Sequence, residues 1–175
     1  MKRQTDFLLL LTCNNLNATL HIQQMESRIM TVTPAPAPAP AQMLPHTMPL
    51  CPNGRLALFA IRRIGAHGLA DAHAAHAMLN GFGEGFRRPL ILMRALMADL
   101  ATSANGHISI APCCCMRMTA AESAVLTVLA RAETAPEMAR LLLADLLGVR
   151  RIDGVLASAT ALAAAFADAG RPICV

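Results

Sequence analysis

Thr119-Ala120-Ala121-Glu122, followed by the run SAVLTVLAR to Arg131, is the stretch that says most about the fold. A threonine with a glutamate three residues later forms a capping box, in which each side chain bonds the backbone N–H of the other residue. We therefore predict a helix that begins here and continues to Arg131. Ala and Leu, both good helix formers, dominate the chain, and only 3% of the residues are aromatic. An all-α protein is the expected outcome.

Similar signals divide the rest of the chain into further short helices. Asn53 and Asp153 are predicted N-caps, Pro89 suits a first helical turn, and Thr134 with Glu137 forms a second capping box. No segment has the roughly 20 uninterrupted apolar residues of a membrane span, so we expect a soluble protein with no membrane contact. The sequence thus predicts a compact bundle of about five to six helices, over 53–67, 71–80, 89–103, 119–131, 134–148 and 153–170.

The first 44 residues differ from this pattern. Residues 34–41 alternate Pro and Ala, which favours an extended polyproline conformation and forbids helix. We predict a disordered leader with a Pro-Ala linker over 1–44 and a single helical domain over 45–175. Met30, Met43 and Met48 also leave open that the true translational start lies downstream of Met1.

The formal net charge of +4 comes almost entirely from arginine. Three pairs of adjacent arginines could bind nucleic-acid phosphates if folding brought them to one face. The chain has no Trp or Tyr, which are the usual platforms for stacking on single strands. The sequence favours solvated helix faces and ion pairs, with no strong nucleic-acid signal. The pairs are Arg62-Arg63, Arg87-Arg88 and Arg150-Arg151.

Three of the six cysteines are consecutive, at 113–115, directly after Pro112. Adjacent cysteines make a poor disulfide framework, and no convincing export signal precedes them. We therefore expect free thiols in a reducing cytosol and a cytoplasmic protein. A thiol near a helix start and near Arg117 could be redox-active or nucleophilic, but no base with a known geometry accompanies it.

A metal site is the other chemical interpretation of the cysteines. The residues that could supply its ligands are Cys113, Cys115, His73, His76 and His107. Two sulfurs and two imidazoles would suit tetrahedral zinc, and thiolates alone would suit copper(I). The triplet lacks the usual zinc-knuckle spacing. The interpretation that the sequence favours is that the cysteines pack as small buried hydrophobes.

The glycine-rich loop 81–88 is a second candidate site. Its glycines would let the backbone approach a phosphate or carboxylate, and Arg87 and Arg88 would add positive charge. The loop follows a helix, and its spacing matches neither a dinucleotide nor a P-loop fingerprint. The sequence favours a flexible interhelical turn with Phe82 and Phe86 anchored in the core.

Four stretches together resemble an uncharacterised bacterial family of unknown function, over roughly residues 45–173. They are DAHAAH at 71–76, FRRPL at 86–90, RALM at 94–97 and APCCCMRMT at 111–119. The resemblance supports the domain boundary and implies no activity, cofactor or catalytic residue.

The function predicted from the sequence is therefore broad. We find no catalytic residues, and the pattern favours a protein-interaction or structural module over an enzyme. A protein partner or a homo-oligomer would fit such a module. The alternative is a zinc- or copper-binding protein, or a thiol-redox protein, that uses the cluster from Cys113 to Cys115.

Overall fold

The computed structural model describes residues 44–175, and six α-helices make up most of this part of the chain. This confirms the predicted all-α class and helix number. The predicted leader with its Pro-Ala linker lies outside the described residues, apart from residue 44. No helix within residues 44–175 is both long and apolar enough to cross a membrane. The helices are α1 (Pro52–His67), α2 (Ala72–Phe82), α3 (Arg87–Ser103), α4 (Ala120–Arg131), α5 (Pro136–Leu147) and α6 (Asp153–Asp168).

Two helix starts follow the local signals of the sequence. In α4, the Thr119 hydroxyl accepts a hydrogen bond from the Glu122 N–H at 3.0 Å, and Glu122 accepts one from the Thr119 N–H at 2.9 Å. In α2, the Asp71 carboxylate accepts a hydrogen bond from the Ala74 N–H at 2.7 Å. Side-chain acceptors at these positions satisfy N–H groups that have no partner inside the helix.

Other predicted helix starts are wrong. Asn53 and Asp153 lie inside the first turns of α1 and α6, and Thr134 makes no capping bond to α5. The Asn53 side chain instead donates to the Pro172 carbonyl at 3.0 Å, a contact that no local pattern predicts. Helix α3 begins two residues before Pro89, because the 3-10 turn Gly83–Phe86 leads directly into it.

The core lies between the helices, where α3 packs along α6 and α4 packs against α5. Each helix contributes aliphatic side chains on one face, with Met93 and Leu126 among the fully buried residues. Phe82 meets Phe166 edge-to-face, with ring centroids 4.8 Å apart. Burying one such large apolar side chain contributes about 1.5–3 kcal/mol, so this shared core holds the bundle together.

A two-stranded antiparallel sheet joins the segment before α1 to the segment after the cysteines. Strand β1 (His46–Thr47) pairs with β2 (Arg117–Met118), with Thr47 opposite Arg117. The Arg117 guanidinium also donates to the carbonyl of Leu44, at 2.6 Å, and to that of Pro45. The sheet therefore fixes the segment before α1 against the chain that leads into α4.

A disulfide bond joins Cys51, the residue before α1, to Cys174, close to the last residue, with their Cα atoms 5.8 Å apart. The expectation that the thiols are free is wrong for this pair. The two residues are 123 positions apart, and no spacing in the sequence connects them. Cys113, Cys114 and Cys115 are free thiols, as predicted.

Candidate functional site

The three adjacent cysteines lie in a tight turn, which we call the cysteine turn (residues 112–115). The Cys115 N–H donates to the Pro112 carbonyl at 3.0 Å, which places Cys113 and Cys114 at the two central positions. Both central residues are exposed, and Cys115 is half-buried. The interpretation of the cysteines as buried hydrophobes is therefore wrong for Cys113 and Cys114.

A buried ion pair lies beneath the cysteine turn. Arg62 of α1 donates from Nε to Glu122 Oε1 at 2.8 Å and from Nη2 to Glu122 Oε2 at 3.0 Å. The Arg62 side chain is 2% exposed and the Glu122 side chain is fully buried. Charges buried to this extent are tolerated only when they are paired and hydrogen-bonded, and the two-pronged geometry meets that requirement.

The same ion pair holds both ends of the cysteine turn. Arg62 donates to the carbonyls of Cys115, at 2.7 Å, and Arg117, at 2.6 Å. Glu122 accepts a hydrogen bond from the Ala111 N–H at 3.0 Å. The chain before the turn and the chain after it are thus fixed to one buried base, while the tip of the turn faces solvent.

A permanent positive charge lies beside Cys113. Arg63, the next residue of α1, forms two hydrogen bonds to Asp71, at 3.1 and 2.7 Å. The hydrogen bond to Asp71 raises the pKa of Arg63, and the nearby Cys113 side chain contributes in the same direction. The hydrogen bond from Arg63 lowers the pKa of Asp71 to about 2, aided by the Ala74 N–H and opposed by burial. Arg63 is therefore held in place, charged, at the edge of the cysteine turn.

The third thiol has different surroundings. Burial raises the pKa of Cys115, and the neighbouring Cys114 raises it further, against the opposing effect of Arg62. Cys115 is thus kept as a neutral thiol behind an exposed turn. The sulfurs of 113 and 115 therefore differ in both exposure and charge environment, although the residues are two positions apart.

The histidines predicted as metal ligands do not complete a site with the cysteines. His73 lies beside Arg63, with its Nδ1 2.8 Å from Arg63 Nη2, and His76 and His107 are exposed. Residues 44–175 hold no group of three or more His, Cys, Asp or Glu side chains placed to bind one metal ion. Zinc or copper at Cys113, Cys115, His73, His76 or His107 stays a prediction.

The glycine-rich loop forms part of the packing between helices. Residues 83–86 make a 3-10 turn, and Phe82 and Phe86 are partly buried against the core. Arg88 pairs with Asp168 at 2.9 Å on an exposed surface, and Arg87 is exposed. The interpretation as an anchored interhelical turn agrees with this packing, and anion binding by Arg87 and Arg88 stays a prediction.

Arg62 is the important site residue that sequence reasoning missed. The basic pair Arg62-Arg63 was expected on a solvated helix face, which is wrong for Arg62. A signal was present in the sequence, since 58, 61, 62 and 65 follow helical spacing and define one face. All four positions are buried. An arginine on that face requires a buried acid, and the capping-box Glu122 provides it.

A known protein family matches the part of the chain that contains the cysteine turn. A family model described as a family of unknown function (DUF6628) matches residues 41–145, somewhat earlier and shorter than the predicted resemblance over 45–173. The match includes the cysteine turn and both partners of the buried ion pair, and ends before α6. No curated protein and no solved structure matches the chain. The chain belongs to this family of unknown function, DUF6628.

Proposed function

We propose that the cysteine turn is a site of thiol–disulfide exchange, in which Cys113 attacks and Cys115 resolves. The observation that carries the proposal is the support of the turn: the exposed Cys113 and the half-buried Cys115 lie two residues apart on a backbone fixed from below by the Arg62–Glu122 pair. Sites that must present reactive groups in one geometry need such support.

The substrate class is a low-molecular-weight disulfide. The Cys113 thiolate attacks one sulfur of that disulfide, forms a mixed disulfide and releases one thiolate. Cys115 then loses its proton to solvent and attacks the Cys113 sulfur, which releases the second thiolate and leaves a Cys113–Cys115 disulfide. The small disulfide gains two electrons and the two cysteines lose two.

Geometry favours Cys115 over Cys114 as the partner of Cys113. Disulfides span Cα atoms that are about 4.4–6.8 Å apart. Consecutive Cα atoms are only about 3.8 Å apart, which falls below this range for Cys113 with Cys114. Residues 113 and 115 occupy the second and fourth positions of a turn, where the chain folds back and their Cα atoms can meet the requirement.

Exposure favours Cys113 as the attacking group. A disulfide in solution can reach the exposed Cys113, whereas Cys115 is half-buried and burial raises the pKa of its thiol. Arg63, held in place by Asp71, lies beside Cys113, and Arg62 holds the backbone of the turn.

The predicted interaction module, with a protein partner or a second copy of the chain, stays a prediction. Exposed apolar side chains occur on several separate elements of the described residues, including Met138 and Leu141 of α5 and Ile91 of α3. Single exposed apolar residues are common on protein surfaces and do not identify a partner. The predicted cytoplasmic location fits free thiols better than it fits a stable disulfide, which is rare in that compartment.

Stoichiometry with an aromatic disulfide that releases a coloured thiolate tests the proposal. The full chain with Cys13→Ser and Cys114→Ser retains only Cys113 and Cys115 as reactive thiols, because Cys51 and Cys174 are bonded. We expect two equivalents of released thiolate and a product mass with no adduct. Adding Cys115→Ser should stop the reaction at one equivalent, with the adduct on Cys113.

A different product mass would contradict the mechanism. Two adducts in the protein that retains Cys113 and Cys115 would show that each thiol reacts alone and that no internal disulfide forms. Cys113→Ser in the same background is the matched control, and it should react slowly, because the remaining Cys115 is half-buried and neutral.

A further inference from the structure

The last five residues fold back from the end of α6 onto the start of α1. Ile173 is 7% exposed and packs into the core, and Asn53 of α1 donates to the Pro172 carbonyl at 3.0 Å. The disulfide from Cys174 to Cys51 completes the contact. We call residues 171–175 the tail. Its first residue, Arg171, also donates from its N–H to the Phe166 carbonyl at 2.9 Å and lies over the Phe82 ring, with its guanidinium carbon 6.0 Å from the ring centroid.

The fit between the tail and α1 is close. A Cβ atom added at Gly54 would lie 2.5 Å from the Cys174 carbonyl oxygen and 3.0 Å from the Pro49 side chain. Both distances are at or below the shortest contacts that carbon atoms make, so residue 54 must be glycine while the tail is in place. The first turn of α1 is therefore shaped to receive the tail.

A surface groove of about 440 Å³ lies beside this contact. Residues 46–51 form one side of it, Met118 and Ser123 contribute from the sheet and α4, and Val175 of the tail contributes to its wall. Val175 and Leu50 are both largely exposed, so the groove is open and apolar at that end. The shape of the groove thus depends on where the tail lies.

The bond that holds the tail is accessible to a reductant. Cys174 is exposed and Cys51 is half-buried. Exposed disulfides are the ones that thiols attack readily, and they are often regulatory. A dithiol reductant can therefore approach the bond from the Cys174 side.

We propose that the Cys51–Cys174 disulfide is a redox-controlled tether, which closes the tail over one side of the groove and releases it on reduction. A dithiol reduces the bond in two exchange steps, so that Cys51 and Cys174 each gain a hydrogen and the dithiol becomes a disulfide. The tail then keeps only its non-covalent contacts, and Val175 leaves the groove. This proposal is independent of the reaction at the cysteine turn.

Hydrogen exchange at short times tests the tether. The protein for this experiment is the full chain with Cys13, Cys113, Cys114 and Cys115 replaced by Ser, so that Cys51 and Cys174 are the only redox-active residues. We expect reduction with dithiothreitol to speed exchange of the tail amide that is hydrogen-bonded, that of Arg171 to the Phe166 carbonyl, by about tenfold or more, with a smaller rise over 46–51. Helices α3 and α6 should stay protected at the same times.

The double variant Cys51→Ser/Cys174→Ser, made in the same background without reductant, should exchange like the reduced protein. Unchanged exchange of the tail after reduction would overturn the proposal, because the non-covalent contacts would then be sufficient to hold it. Loss of protection in α3 and α6 at the same short times would also overturn it, since the whole fold would then open and the tail would not be released separately. Either failure leaves the reaction of Cys113 and Cys115 unaffected.

Discussion

The cysteine turn and the tail both contain cysteines, but different interactions hold the two regions in place. The turn carries free thiols, and its backbone is fixed by a buried ion pair with four hydrogen bonds to the surrounding main chain. The tail carries a disulfide and has few other contacts, chiefly one buried isoleucine and one hydrogen bond. Where non-covalent contacts define the shape, the sulfurs remain available for chemistry.

This difference has a thermodynamic side. A disulfide that links distant residues stabilises a protein mainly by restricting the unfolded chain, so its effect does not depend on local packing. A buried ion pair acts in the folded state, where losing one partner leaves an uncompensated charge. The two regions should therefore respond differently to mutation, reduction and pH.

Loss of the disulfide should have the largest effect on stability. The bond closes a loop with a sequence separation of 123 residues, and loops of this size are expected to contribute about 4–5 kcal/mol. Cys51→Ser/Cys174→Ser should lower the free energy of unfolding by that amount in urea titrations. Cys113→Ser, which removes an exposed free thiol, is the control and should change it by less than about 0.5 kcal/mol. Equal losses for the two variants would show that the bond does not constrain the unfolded chain.

Breaking the buried ion pair should have the next largest effect. Arg62→Met retains most of the side-chain volume but leaves Glu122 buried without its partner, which should cost about 3–5 kcal/mol. The exposed pair Arg88–Asp168 gives the matched control, since Arg88→Met should cost less than about 1 kcal/mol.

A second readout separates the role of Arg62 in the cysteine turn from its role in stability. Arg62→Met also removes the donor to the Cys115 carbonyl. In native buffer, where the variant remains folded, release of the turn should expose Cys115 so that it alkylates faster than in the parent protein, although loss of the Arg62 charge raises the pKa of that thiol and acts in the opposite direction. Arg62→Met and Arg88→Met could instead lower the free energy of unfolding equally, with alkylation of Cys115 unchanged. That result would show that the buried ion pair does not fix the cysteine turn.

Local signals were sufficient to predict most of the fold. The capping box of α4 is visible in four residues, and Gly148 ends α5 because it adopts a left-handed conformation with φ of 64°. Such signals depend on neighbours within one or two helical turns. The two-stranded sheet and the bond from Cys51 to Cys174 depend on residues far apart in the sequence, and no local pattern encodes either pairing.

The candidate site was predicted in position but not in structure. The sequence places the cysteines shortly before the capped helix α4, as the structure does. The sequence does not show that the Arg62 side chain is buried, because an arginine is usually exposed. Only its position on the same helix face as the buried residues 58, 61 and 65 indicates burial. The second role of Glu122, as partner of Arg62, was hidden for the same reason. A capping box by itself accounts for a glutamate at this position, so the sequence gives no reason to expect that its charge is buried.

Acid should remove a smaller contribution, that of Asp71, which holds Arg63 beside the cysteine turn. The folded state lowers the pKa of Asp71 from the ordinary 3.8 to about 2, which corresponds to about 2 kcal/mol of stability. The Asp71 side chain is only 6% exposed, so solvent screens the pair with Arg63 little. Because the pKa is lower in the folded state, this stability is fully present above pH 3.8 and is lost as the pH falls towards 2.

Asp71→Asn isolates the charge, since an asparagine can still cap α2. Urea titrations should show the parent protein about 2 kcal/mol more stable than the variant at pH 6, with most of that difference gone at pH 2. Asp168→Asn, at the exposed pair with Arg88, is the control and should change the free energy of unfolding at pH 6 by less than about 1 kcal/mol. A constant difference between parent and Asp71→Asn at both pH values would mean that the Asp71 charge does not stabilise the fold. The geometry around Cys113 would then depend on the cap alone, and the turn would be held by the Arg62–Glu122 base without help from α2.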